Sequence, residues 1–155
     1  GDKMITALDV ANTFLERANK EKIDITPMKL QKLIYLLYKN YLKDTRSKLF
    51  WDGFEVWQYG PVIPSVYAAF QQYRSNAIRS YHLNAAGKYN IVSFQNPDFK
   101  RNFERVWEKY RDLDWIFLSQ LTHQKNSSWS KGNERQRSVL NDIDIYSEEE
   151  YVIGK

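Results

Sequence analysis

The chain reads as an α+β fold that is predominantly α-helical. It should be one compact domain over residues 4–155, with about five to seven helices and a small strand element near residues 49–59. Three observations carry that reading. Apolar residues recur at spacings of three and four through most of the chain, the mark of helices with one buried face. Leu49 to Tyr59 alone is crowded with aromatics around a central Gly53, as expected of a short strand pair or a bent extended segment. A length of 155 residues, 43% of them hydrophobic, suits a single core.

Thr6 caps the first helix, on which Leu8, Ala11, Leu15 and Ala18 share a face. After a short link through Ile25, Thr26 caps the second, with Pro27 at its first position, where a missing N–H costs nothing. From Leu33 to Tyr38 this helix is apolar on every side, which predicts a place at the centre of the core. Lys43 to Lys48 is a polar turn region, and Gly60-Pro61 ends the extended element. A short helix follows over Ser65 to Tyr73. Ser75 to Asn96 carries the weakest pattern, with strands expected over Ile78–Leu83 and Tyr89–Phe94 on either side of Gly87. Asn96-Pro97 opens a helix whose buried stripe is Phe99, Phe103, Val106, Trp107 and Tyr110. Asp112 or Asp114 starts another, ending near His123, and Gln124 to Arg135 reads as a polar loop around Trp129. Ser147 with Glu150 forms a capping box for a last helix, Glu148 to Ile153. Gly1 reads as a scar of tag removal, with Met4 near the native start.

Composition narrows the function. There is no cysteine, so disulfides, thiolate nucleophiles and cysteine zinc sites are excluded. No stretch approaches the ~20 apolar residues of a membrane span, and no secretory signal is visible; the expected location is the cytoplasm, with no membrane partner. The net charge of +4 is uneven: residues 61–140 carry +6 and residues 141–155 carry −4. A basic middle suits either an ordinary solvated surface or an acidic partner.

Catalytic patterns are missing. His82 and His123 lack companions at metal-ligand spacing, the 6 glycines are too scattered to cradle a phosphate, and no Gly-x-Ser-x-Gly elbow occurs. Asp142, Asp144 and Glu148 to Glu150 lack the register of a calcium loop and read as a solvated helix start. The expectation is a protein without catalytic residues, metal or cofactor.

The most unusual local chemistry is Trp57-Gln58-Tyr59-Gly60-Pro61, followed by Pro64 and Tyr67. Gly60 before a proline is pushed out of the α region, and Pro61 and Pro64 each fix a φ angle. The result is a stiff corner that presents aromatic rings. Trp57 reads as closing the core, whereas Tyr59 and Tyr67 suit either core or recognition anchors. Gln31 on the second helix can satisfy backbone groups of that corner, and Lys32 is expected to face water with Lys39 and Lys43. His123 sits at a helix C-terminus, where the dipole favours protonation and a structural hydrogen bond is the simplest role. Arg101, Arg105 and Lys109 form a basic stripe partly offset by Glu104 and Glu108; it reads as surface ion pairing, with nucleic-acid contact as the alternative.

Three ordered blocks together resemble the Panacea domain of SocA-like antitoxins, of the phage-associated type. They are Thr26 to Tyr38, Phe54 to Tyr67, and Leu118-Ser119-Gln120-Leu121-Thr122-His123 with Trp129. Carried across residue by residue, Leu30, Gln31, Lys32, Leu33 and Tyr35 match the helix motif. Trp57, Tyr59, Gly60, Pro61, Val62, Pro64 and Tyr67 match the corner, and His123 and Trp129 match the last element. Leu36-Leu37-Tyr38 is bulkier than the family pattern, and residues 75–96 carry no motif that aligns. The resemblance implies a non-enzymatic antitoxin that neutralises a cognate protein toxin by direct binding. A proteolytic adaptor, delivering the toxin to a protease, and a nucleic-acid-binding regulator are the alternatives. It further implies that shared motifs are scaffold and that partner choice lies in residues 75–96, the basic stripe and residues 124–135.

Overall fold

The computed structural model describes residues 4–151 and 153; residues 1–3, expected as a tag remnant or a disordered start, and Val152 of the expected last helix lie outside the described residues. Among the described residues, seven α-helices and one two-stranded antiparallel sheet are formed: α1 Ala7–Glu21, α2 Pro27–Thr45, β1 Glu55–Trp57, β2 Gly60–Val62, α3 Pro64–Phe70, α4 Pro97–Tyr110, α5 Trp115–Thr122, α6 Ser128–Glu134 and α7 Asp142–Ser147. A 3-10 turn, Gln71–Tyr73, extends α3. The α+β, predominantly helical class read from the sequence is the one observed.

Local chemistry sets the helix starts. Thr6 and Asp9 form a reciprocal capping box on α1, and Thr26 accepts from the Lys29 amide above Pro27 on α2. Asn96 caps α4 ahead of Pro97, and Asp114 caps α5. Helix α2 is the axis of the molecule. Every residue from Pro27 to Lys39 except Met28 is buried, and the helix packs on α1, α3, α4, α5, α7 and β2. Helix α4 lays Phe99, Phe103, Val106, Trp107 and Tyr110 into the same core. There the Phe103 ring sits 4.7 Å from that of Phe14 on α1.

Four sequence expectations are corrected. Gly60-Pro61 does not end the extended element; the turn is Gln58-Tyr59, and Gly60 opens β2 opposite Trp57. Residues 78–83 and 89–94 are not strands. The two runs are held instead by Asn12 of α1, whose amide donates to the His82 and Asn90 carbonyls (2.9 and 3.1 Å) and accepts from the His82 N–H (2.9 Å). Thr13 takes the Val92 N–H at 2.9 Å. Backbone needs are met by side chains of a helix, so no ladder is required. Within the expected 124–135 loop stands α6, capped by Ser127, whose hydroxyl accepts from the Ser130 N–H. The last helix is Asp142–Ser147, capped by Asn141, not Glu148–Ile153. At Glu148 the backbone is extended because its side chain is drawn into the core.

Candidate functional site

The three sequence blocks meet at one corner of the molecule. Gly60 has φ +119°, a region that L side chains rarely adopt. A Cβ there would stand 2.7 Å from Thr122 Oγ1 and 2.9 Å from Lys32 Cε. The hairpin backbone therefore presses directly onto α5 and α2. Gln31 closes the same corner with a two-way amide bond: its Nε2 donates to the Ile63 carbonyl (3.1 Å), and the Ile63 N–H donates to its Oε1 (2.9 Å).

Lys32 does not face water. It is 0% exposed, and its Nζ donates to the Pro61 carbonyl at 3.0 Å. Burial pushes its pKa down to about 7, since the charged ammonium loses its hydration. Lys39 is buried as well, so of the three lysines expected on a wet face only Lys43 is exposed.

His123 caps the end of α5, and its ring lies 3.7 Å, centroid to centroid, from that of Trp129 on α6. The expectation of favoured protonation is reversed. Burial, and then the neighbouring Lys32 charge, lower the His123 pKa against the helix dipole. Its Nε2 is buried without a hydrogen-bond partner, and its ring is stacked on Trp129. Trp129 in turn donates its indole N–H to the Trp57 carbonyl at 2.7 Å, tying α6 to the end of β1.

The corner thus divides into an inside and an outside. Gln31, Lys32, Tyr35, Gly60 and Pro61 are buried and act as scaffold. Outside, Tyr59 is 49% and Tyr67 38% exposed, and Pro64 is exposed at the start of α3. Trp57 is half-buried: its ring meets Tyr67 edge-on at 4.9 Å, and its N–H bonds Glu55 at 2.8 Å. Tyr59 meets Trp115 edge-on at 5.7 Å, beside exposed Ile116. The surface is a set of mutually braced aromatic rings. Trp115 and Ile116 went unnoticed in the sequence because they lie just before the third block.

Two other groupings resolve differently. On the basic stripe of α4, Arg101 and Lys109 are held in ion pairs, whereas Arg105 is exposed and makes none among the described residues. Arg101 reaches Asp44 at 2.9 Å and Asp98 at 2.7 Å, and Lys109 reaches Glu150 at 2.8 Å. Glu104 pairs with Arg17 of α1 rather than with the stripe. The late acids are likewise engaged, Asp142 with Tyr38 and Lys48, and Asp144 with Arg137. Among the described residues no group of three or more His, Cys, Asp or Glu could hold a metal ion, and no helix is long and apolar enough to cross a membrane.

A family model described as antitoxin SocA-like, Panacea domain, matches residues 30–130, a span that holds the whole corner from Gln31 to Trp129. Antitoxin SocA of Caulobacter vibrioides (strain NA1000 / CB15N) is 30% identical over 133 residues, which cover 81% of this chain and 69% of that protein. No solved structure matches. With a family match over more than half its length, spanning every residue that builds the corner, the chain belongs to the antitoxin SocA-like, Panacea domain family.

Proposed function

We propose that this protein is an antitoxin that neutralises a cognate protein toxin by binding it directly, with the aromatic corner as its docking surface. The observation that carries the reading is family membership joined to that corner. Its buried motif residues lock the backbone, while Tyr59, Tyr67, Trp57 and Trp115 present rings on the outside. Rigid aromatics lose little side-chain entropy on binding and dominate protein interfaces. On the α4 stripe Arg101 and Lys109 are committed to ion pairs and Arg105 alone of the three is left uncommitted, a footprint too small to favour the regulator reading.

The test is co-expression with the products of the adjacent genes, scored by complex formation and by growth rescue. Rescue with a stable complex supports neutralisation. Undiminished toxicity of every neighbouring product in the presence of the protein sinks it. Toxin half-life in the same cells separates blocking from delivery to a protease, because only delivery shortens it.

A further inference from the structure

Past α7 the chain enters a groove floored by α2, α4 and α6. Glu148 is 2% exposed although it is a carboxylate. Its Oε2 accepts from the Tyr35 hydroxyl (2.6 Å) and from the Ser128 N–H (2.8 Å). Its Oε1 lies 3.6 Å from Lys39 Nζ. Lys43 donates to its main-chain carbonyl. Two residues on, Glu150 pairs with Lys109 of α4. Tyr151 is buried with its ring centroid 3.6 Å from Lys39 Nζ, in cation–π contact. Three lysines, a phenol and a backbone amide therefore read one short stretch, Glu148-Glu149-Glu150-Tyr151.

The fit is incomplete. Lys39 Nζ, Glu148 Oε1 and the Tyr151 hydroxyl are buried without hydrogen-bond partners. Buried polar groups without hydrogen bonds oppose binding, even where Lys39 and Glu148 keep an ion pair, so a better-matched ligand has something to gain. Alongside lies a cavity of about 440 Å³, lined in part by Gln124, Lys125 and Lys131, with room for more ligand than the segment supplies. Residues 148–151 form no helix or strand; side chains hold them in place.

We propose that this groove is a peptide-binding site for acidic segments of the pattern Glu-x-acidic-aromatic, occupied in cis by residues 148–151 and available in trans to a partner protein's segment of the same chemistry. The charge complementarity of Lys39, Lys43 and Lys109 selects acids, and the Lys39–ring contact selects the aromatic. The site shares Tyr35 and helix α6 with the corner's buried scaffold but uses none of its exposed rings, and it does not rest on the antitoxin reading.

The experiment uses the full chain and a fluorescein-labelled peptide reproducing residues 147–153, read by polarisation. Wild-type protein should bind weakly, because its own segment competes. Glu148→Gln, which weakens that competitor, should bind at least tenfold tighter. Adding Lys43→Gln and Lys109→Gln in that background should reverse the gain by at least tenfold. A folded Glu148→Gln protein with no saturable binding, or equal binding of a scrambled peptide, overturns the proposal. If Glu148→Gln does not fold, wild-type protein decides by hydrogen exchange. Millimolar peptide should then speed exchange at residues 148–151 and leave α2 unchanged; no change overturns the proposal.

Discussion

Gly60 and Lys32 share one crowded point, and each makes a prediction that can be read separately. Gly60→Ala adds a Cβ at a positive φ and within 2.7 Å of Thr122 Oγ1. Strain and overlap together should cost about 3 kcal/mol in chemical denaturation. Thr122→Ala in the same protein should recover part of that loss, the overlap with Thr122, but neither the φ strain nor the crowding against Lys32. Complete recovery or none would contradict this division. Lys32 has a pKa held near 7 in the folded protein against 10.5 in the unfolded chain. Between those values the unfolded state binds more protons, so the Lys32 contribution to stability rises with pH from about 7 to 10.5 and is flat below. Replacement by Met removes that slope and leaves the Pro61 carbonyl without its donor. The difference in Tm between wild type and Lys32→Met should therefore shift in favour of the wild type from pH 7 to pH 9, by an equivalent of up to about 3 kcal/mol. Parallel Tm profiles would show that Lys32 keeps its ordinary pKa.

At the scale of elements, the same side-chain logic replaces a sheet. Residues 78–94 lean on Asn12, which makes three hydrogen bonds to the His82 and Asn90 backbone. Asn12→Ala should cost about 2–4 kcal/mol, since buried backbone groups lose their partners. Amide exchange should quicken across residues 78–94 while α1 stays protected by its capping box. Equal quickening in α1 would mean that the helix, not the staple, had failed. These elements also show what a sequence makes legible. Helices α1, α2, α4 and α5 were readable because a capping side chain and apolar residues at helical spacing agree, reinforced on α2 and α4 by a proline at the first position. The Asn12 staple was not, because its partners lie 70 and 78 residues away and an asparagine looks the same on any helix face. Helix α6 was hidden by its polar composition; its fit depends on Gly132 meeting Leu140 and Val56, contacts set by tertiary packing. Ser147 and Glu150 had the spacing of a capping box, but burying the Glu148 carboxylate against Tyr35 and Ser128 outweighed it.

For the whole molecule, the separation of buried motif from exposed aromatic determines how a partner should respond to salt. The formal charge of +4 is modest, and of the basic stripe Arg101 and Lys109 are already paired, which leaves Arg105 as the stripe's uncommitted charge to steer an anionic partner. The three blocks were legible as a set in the sequence, yet only the fold sorts them, sending Lys32 and Tyr35 inward and Tyr59 and Tyr67 outward. Binding through those outer rings is dominated by apolar burial, which salt does not screen. With the cognate toxin in hand, Kd should change by less than about threefold between 50 and 300 mM salt, whereas a phosphate-contacting surface would lose orders of magnitude. Tyr59→Ala with Tyr67→Ala should raise Kd by at least about tenfold at either salt, with Tm lowered only modestly because each ring is partly exposed and gives up one edge-on contact. Arg101→Ala should leave Kd in place and lower stability slightly, through loss of its Asp44 and Asp98 pairs. A steep salt dependence abolished by Arg101→Ala, with the tyrosine double variant binding normally, would move the interface from the hairpin corner to α4.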